Sequence, residues 1–276
     1  MANAPSKPST PVKKESSSAS GMFATLAIPL CFVVTILIYN FVLGDGSHFK
    51  GGDPANDPTD IWGTVHKGGV VVPVIMGLLL MVIVFSIERF IVIGKASGTG
   101  NVDAFVRRVQ SFLNAGNIEA ASAECDKQKG SVANVIKSGL KKYREVESDA
   151  AMDTEQKALA IQKDIEEATA LEMPMLEQNL TIIATLVSIG TLMGLLGTVI
   201  GMIGAFGELA AAGAPNTSAL STHISEALIN TALGISTSAV SIIMYNLFTS
   251  KIDKLTYAID ETGFSIVQTF ASSHNR

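Results

Sequence analysis

Residues 178–250 read QNLTIIATLVSIGTLMGLLGTVIGMIGAFGELAAAGAPNTSALSTHISEALINTALGISTSAVSIIMYNLFTS, and this stretch decides the fold. No Asp, Glu, Lys or Arg occurs in 178–207 or in 227–250. At about 1.5 Å of rise per residue, each run is long enough as a helix to cross the roughly 30 Å hydrocarbon core of a bilayer. A short segment containing Gly213 and Pro215 joins them, so the pair reads as a membrane hairpin. One carboxylate, Glu226, stands near the start of the second run.

Composition agrees with a membrane location. Of the 276 residues, 47% are hydrophobic and 16% charged, whereas an ordinary soluble domain is about 25% charged. The net charge is −5 and no basic stripe is interleaved with aromatics, so nucleic acid is not an expected partner. Cys31 and Cys125 fall in an apolar and a polar segment, which suits neither a disulfide nor a thiolate metal site. His48 and His66 are too sparse to hold a metal, and no cofactor motif is present. There is no nucleophile with base and orienter and no phosphate loop, so the chain does not read as an enzyme.

Outward from the hairpin, the chain divides by charge. Residues 1–21 are rich in Ser, Pro, Ala and Lys and read as a disordered tail. Residues 22–43 are uncharged and long enough to span. Lys7, Lys13 and Lys14 ahead of them also suit a signal peptide, but the run exceeds the usual signal core and lacks an A-x-A-like close, so a retained anchor is expected. Residues 44–67 form a Gly/Pro-containing loop, and 68–93 form the second span. Glu88 and Arg89 near its end are expected at an interface where long side chains reach water.

Residues 94–179 are polar with helical periodicity. Val102, Phe105, Val106, Val109, Phe112 and Leu113 follow an Asn101 cap, and Val132, Val135, Ile136, Leu140 and Tyr143 repeat the pattern. Residues 114–117 read as a helix stop and restart. From Asp153 one long helix is expected to run into the third span (180–207), interrupted only by Pro174. A turn at 208–222, a fourth span at 223–250 and a C-terminal helix at 251–276 carrying Ile252, Leu255, Ile259, Ile266 and Phe270 complete the chain. The fold class is all-α: a polytopic membrane protein with four transmembrane helices, the last two extending into a cytoplasmic helical region. Lysines and arginines cluster before the first span and after the second and fourth, which predicts both termini on the cytoplasmic side and 44–67 and 208–222 on the periplasmic side.

The third span carries two patterns. Thr181, Thr185, Ser188, Thr191 and Thr198 lie along one helical face, as hydroxyls that either line a pore or bond their own backbone. Glycines at 190, 194, 197, 201 and 204 permit close helix approach. In the fourth span Glu226, Asn230, Gly234, Thr237, Ser241 and Tyr245 share a face. An ionised acid at mid-membrane costs about 2.5–3.5 kcal/mol on insertion scales, so such groups face a cavity or partner and mark an ion route. The alternative is that Glu226 caps a helix beginning near Ser221 at headgroup level. Thr198 and Thr231 lie 16 and 17 residues from Ala214, hence at about the same depth in an antiparallel hairpin. His223, one turn before Glu226, either modulates it or is a surface histidine.

GLLGTVIGMIGAF at 194–206, ISEALINTALGISTSAVSIIMYNLF at 224–248 and ERF at 88–90 resemble the ExbB/TolQ/MotA proton-channel superfamily, most of all its ExbB branch. The resemblance covers roughly residues 68–260. It implies that Glu226, Thr198 and Thr231 are the polar pore residues, with Thr181, Thr185, Ser188, Thr191, Asn230, Thr237 and Ser241 as weaker pore-lining candidates. It further implies a homopentamer in lipid, an ExbD-like single-span partner supplying an aspartate, and a TonB-like protein that carries the work to outer-membrane transport. The span at 22–43 departs from the usual three-span ExbB pattern. A TolQ-like or MotA-like output and a non-conducting scaffold are the alternatives.

Overall fold

The computed structural model describes residues 16–210 and 217–274. Among these the chain is 87% helical without a strand, and four helices are long and apolar enough to cross a membrane. Most of the expected tail and the centre of the 208–222 turn lie outside the described residues. Helix already begins at Ser16, inside the stretch expected to be tail.

α1 (Ser16–Leu37) passes through a π-helical turn (Ile38–Leu43) into an irregular loop, and α2 (Ile61–His66) closes that loop. Asp60 caps α2 by accepting from the Gly63 N–H at 2.9 Å, and its other oxygen meets His48 Nδ1 at 2.6 Å. The His66 ring stacks on Tyr39 at 4.5 Å and meets Phe49 edge-on at 5.5 Å. Burial, with Lys67 beside it, lowers the pKa of His66 from the ordinary histidine value.

α3 (Val71–Ser97) packs against α1, α8 and α9. Phe32 of α1 lies so close to Gly77 of α3 that a Cβ there would stand 2.6 Å from the ring. The strongest association in the molecule is between α8 (Leu180–Ala210) and α9 (Thr217–His274). Gly190, Gly194, Gly197 and Gly201 are buried and face α9, which is the packing reading of the glycine stripe. The crossing centres on Gly234: a Cβ there would lie 2.6 Å from the Gly190 carbonyl oxygen and 2.7 Å from Gly194 Cα. Backbone atoms cannot rotate away as a side chain can, so Gly234→Ala must part the helices. We expect a loss of about 1–3 kcal/mol, seen as a lower thermal midpoint of the detergent-solubilised protein. An unchanged midpoint would mean that the hairpin packs elsewhere.

α9 is one 58-residue helix, about 87 Å long at 1.5 Å per residue. Its far half packs with α4 (Val102–Asn114), α6 (Gly130–Glu147) and α7 (Thr154–Glu177), while α5 (Ile118–Gln128) bridges α4 and α6. The stripes read from the sequence become this core: Phe105, Val109, Leu113, Val132, Val135, Ile136, Leu140, Ile252, Leu255, Ile259, Ile266 and Phe270 are all buried. Asn101 caps α4 through the Asp103 and Ala104 N–H groups, and Asn117 caps α5 after the stop at Gly116. Cys31 and Cys125 are both free and buried. Burial pushes the Cys125 thiol up to about 12, which makes it unreactive.

The single helix expected from Asp153 through the third span is broken, and not at Pro174. α7 ends at Glu177 and α8 begins at Leu180, with Asn179 between them at φ 62. Asn tolerates this left-handed conformation better than most residues. The break is held from α3: Arg89 Nη1 donates to the Met175 and Leu176 carbonyls at 3.1 and 3.2 Å. These carbonyls in the last turn of α7 lack partners further along the helix. Arg89 also pairs with Glu88, whose Oε2 accepts from Asn179 Nδ2 at 3.5 Å. Arg89 is 1% exposed, so the expected reach to water at an interface is replaced by an inward clamp on the α7–α8 junction.

Candidate functional site

The end of the bundle that carries residues 44–67 gathers the polar groups of the hairpin. Thr198 on α8 and Thr231 on α9 both direct their hydroxyls toward one atom, the Gly194 carbonyl oxygen, at 3.5 and 3.4 Å. Each also bonds its own helix, Thr198 to Leu195 O at 2.6 Å and Thr231 to Ala227 O at 3.1 Å. The two threonines therefore lie at one depth, and both are half-buried.

Glu226 is turned another way. Five residues separate it from Thr231, about 140° around a helix, and its carboxylate lies against the start of α3. A Cβ on Gly69 would collide with Glu226 Oε1, and Gly69 has φ +75, so glycine is required there twice over. One turn further along α9, Asn230 Nδ2 donates to the Gly68 carbonyl at 2.8 Å. Asn230 is fully buried, and its Oδ1 has no hydrogen-bond partner among the described residues. On the near side His223 Nδ1 stands 3.4 Å from Glu226 Oε2. The Glu226 side chain is 15% exposed. Tyr39, whose hydroxyl donates to the His66 carbonyl at 2.9 Å, lies within electrostatic range. Because α9 starts at Thr217 rather than near Ser221, Glu226 is more than two turns inside the helix. A capping role is thereby removed.

The remaining candidates divide. Thr181, Thr185, Ser188 and Thr191 are exposed on one face of α8, where Thr185 also donates to Thr181 O at 2.7 Å. Thr191 meets Ser238 Oγ at 2.8 Å, and Ser238 donates to Val187 O at 2.6 Å, tying the two helices together. Asn230, Thr237 and Ser241 are buried inside the chain, so none of them presents a side chain to a lumen outside it. Thr237 and Ser241 bond their own helix at Leu233 O and Thr237 O instead. The face they share with Gly234 packs against α3 and α8.

A family model described as the MotA/TolQ/ExbB proton channel family matches residues 127–261. The chain is 25% identical over 204 residues to the Tol-Pal system protein TolQ of Pseudomonas aeruginosa, covering 72% of this chain and 87% of that one. The comparisons thus bear out the resemblance to the MotA/TolQ/ExbB proton channel family. Biopolymer transport protein ExbB of Xanthomonas campestris is 30% identical over 102 residues, 37% of this chain and 40% of that relative. A putative ExbB-like protein 3 of Synechocystis sp. is 34% identical over 88 residues, 31% and 42% respectively. These two ExbB relatives are thus matched over less than half of their length. Around the site, sequence reading missed Gly68, Gly69, Tyr39 and Ser238. The Gly68–Gly69 pair just ahead of α3 was the available signal, since adjacent glycines mark a tight backbone approach.

Proposed function

We propose that this chain is the channel-wall subunit of a proton-motive-force-driven complex in the bacterial inner membrane, with Glu226, Thr198 and Thr231 along the proton path. The observation that carries it is a carboxylate more than two turns into α9, 15% exposed and without a Lys or Arg partner among the described residues. The exposed hydroxyl face of α8 at Thr181, Thr185, Ser188 and Thr191 is the surface that copies of this chain, five by resemblance to the family, would turn toward a central ExbD-like helix. The distribution of Lys and Arg supports termini on the cytoplasmic side.

For the output, the ExbB-like motif text supports energising a TonB-like protein and outer-membrane transport. The TolQ relative, matched over most of both chains, favours a Tol-Pal-like output as the second reading. Proton flux into liposomes holding the full chain and its single-span partner tests the path. Thr198→Val keeps the shape and removes the hydroxyl, and we expect flux to drop about 10-fold, the equivalent of roughly 1.4 kcal/mol on the barrier. Identical flux would remove Thr198 from the path.

A further inference from the structure

We infer that His223 is the proton relay that loads Glu226 from the loop side of the membrane, through a cavity walled by the 44–67 loop and the start of α9. This rests on Glu226 being the proton carrier. Three observations converge on it. His223 lines a cavity of about 520 Å³ together with Lys50, Asn56, Asp57, Lys67 and Thr222. The same imidazole stands with Nδ1 3.4 Å from Glu226 Oε2. It is thus the one titratable side chain that both borders this cavity and reaches the carboxylate, among the described residues.

The third observation is that α8 is shaped to hold the ring. A Cβ on Gly204 would stand 2.6 Å from His223 Nδ1 and 2.7 Å from Cε1, so the imidazole lies directly on the glycine backbone. Below Glu226, the buried Asn230 Oδ1 without a partner continues the same line of α9, in the order 223, 226, 230.

The transfer balances. Neutral His223 with its proton on Nδ1 accepts a second proton at Nε2 from cavity water, and the imidazolium gives its Nδ1 proton to the Glu226 carboxylate. A neutral acid and a neutral imidazole with its proton on Nε2 result. Exchange with cavity water then restores the Nδ1 tautomer. The groups around this step are Lys50, Asp57 and Lys67 from the loop, Tyr39 from the π-helical turn after α1, His66 from α2, and Glu208 one turn beyond Gly204 on α8.

The test is proton flux into liposomes carrying the full chain with its single-span partner, at outer pH from 5.5 to 8.5. At high outer pH free protons are scarce and delivery depends on a relay, so His223→Gln is expected to slow flux roughly 10- to 100-fold there. The deficit should narrow toward pH 5.5, where protons reach Glu226 unaided. Imidazole added outside should restore His223→Ala, and Gly204→Ala, which displaces the ring without altering any titratable group, should reproduce the deficit. Wild-type flux from His223→Gln at every pH overturns the relay, as does a deficit that imidazole does not relieve, which would mark a structural role. If Glu226→Gln conducts like the wild type, the carrier itself is wrong and the relay falls with it, an outcome distinct from loss of His223 alone.

Discussion

Glu226→Gln is expected to abolish proton-driven output while the chain still folds, inserts and assembles. Glutamine has nearly the volume of the acid and keeps an oxygen against Gly69 and a polar group toward His223, so the packing at the start of α3 survives. Stability should stay within about 1 kcal/mol, since the replaced group makes no buried pair with Lys or Arg among the described residues. What disappears is the ability to carry a proton, and with it the roughly 2.3 kcal/mol released per charge per 100 mV. The measurement pairs liposome proton flux with a growth assay that depends on the energised output. Full output from the variant would leave the hairpin as a scaffold that merely holds a partner helix.

Arg89→Ala is expected to be the most damaging change to stability. The guanidinium is almost wholly buried, donates to Glu88 through Nε at 2.6 Å, and closes the α7 C-terminus at Met175 and Leu176. Truncation leaves Glu88 without its cation and two helix-end carbonyls without partners. Removing one member of a buried pair costs about 3–5 kcal/mol, which lowers the thermal midpoint by roughly 10–15 °C for a chain of this size. Arg89→Lys should fall between, because a single ammonium cannot reproduce the planar fork that reaches a carboxylate and two carbonyls together. A midpoint unchanged in Arg89→Ala would mean that the α7–α8 break is held by Asn179 alone. If the clamp acts as described, the same variant should also loosen α8, the helix that carries Thr198, so its flux and its stability should decline together.

Legibility in the sequence followed the range of the interactions. Spans, caps and stalk stripes are local or periodic, and a solvent that admits no unpaired backbone leaves few choices for an uncharged run. The glycine stripe was equally readable, because close approach demands the absence of a Cβ whatever helix arrives. The α7–α8 break was not, since its cause sits some ninety residues away in Glu88 and Arg89. The burial of Asn230, Thr237 and Ser241 inside the chain was not legible for a related reason. A polar stripe on a membrane helix has the same spacing whether it faces a lumen or bonds its own carbonyls against a neighbouring helix.

The sequence by itself determined that this chain is a four-span helical membrane protein that resembles the proton-channel family, with one acid in its last span. These properties depend on hydrophobic run length, small-residue spacing and motif text, all of which survive without coordinates. Only the tertiary structure decided which way that acid points. Glu226 and Thr231 are five residues apart but face different directions, and the turn of α9 that sets Thr231 beside Thr198 carries Glu226 to Gly69 and His223. A helix fixes the angle between two of its own side chains; which neighbours stand at those angles is settled by the packing of α3 and α8 around it.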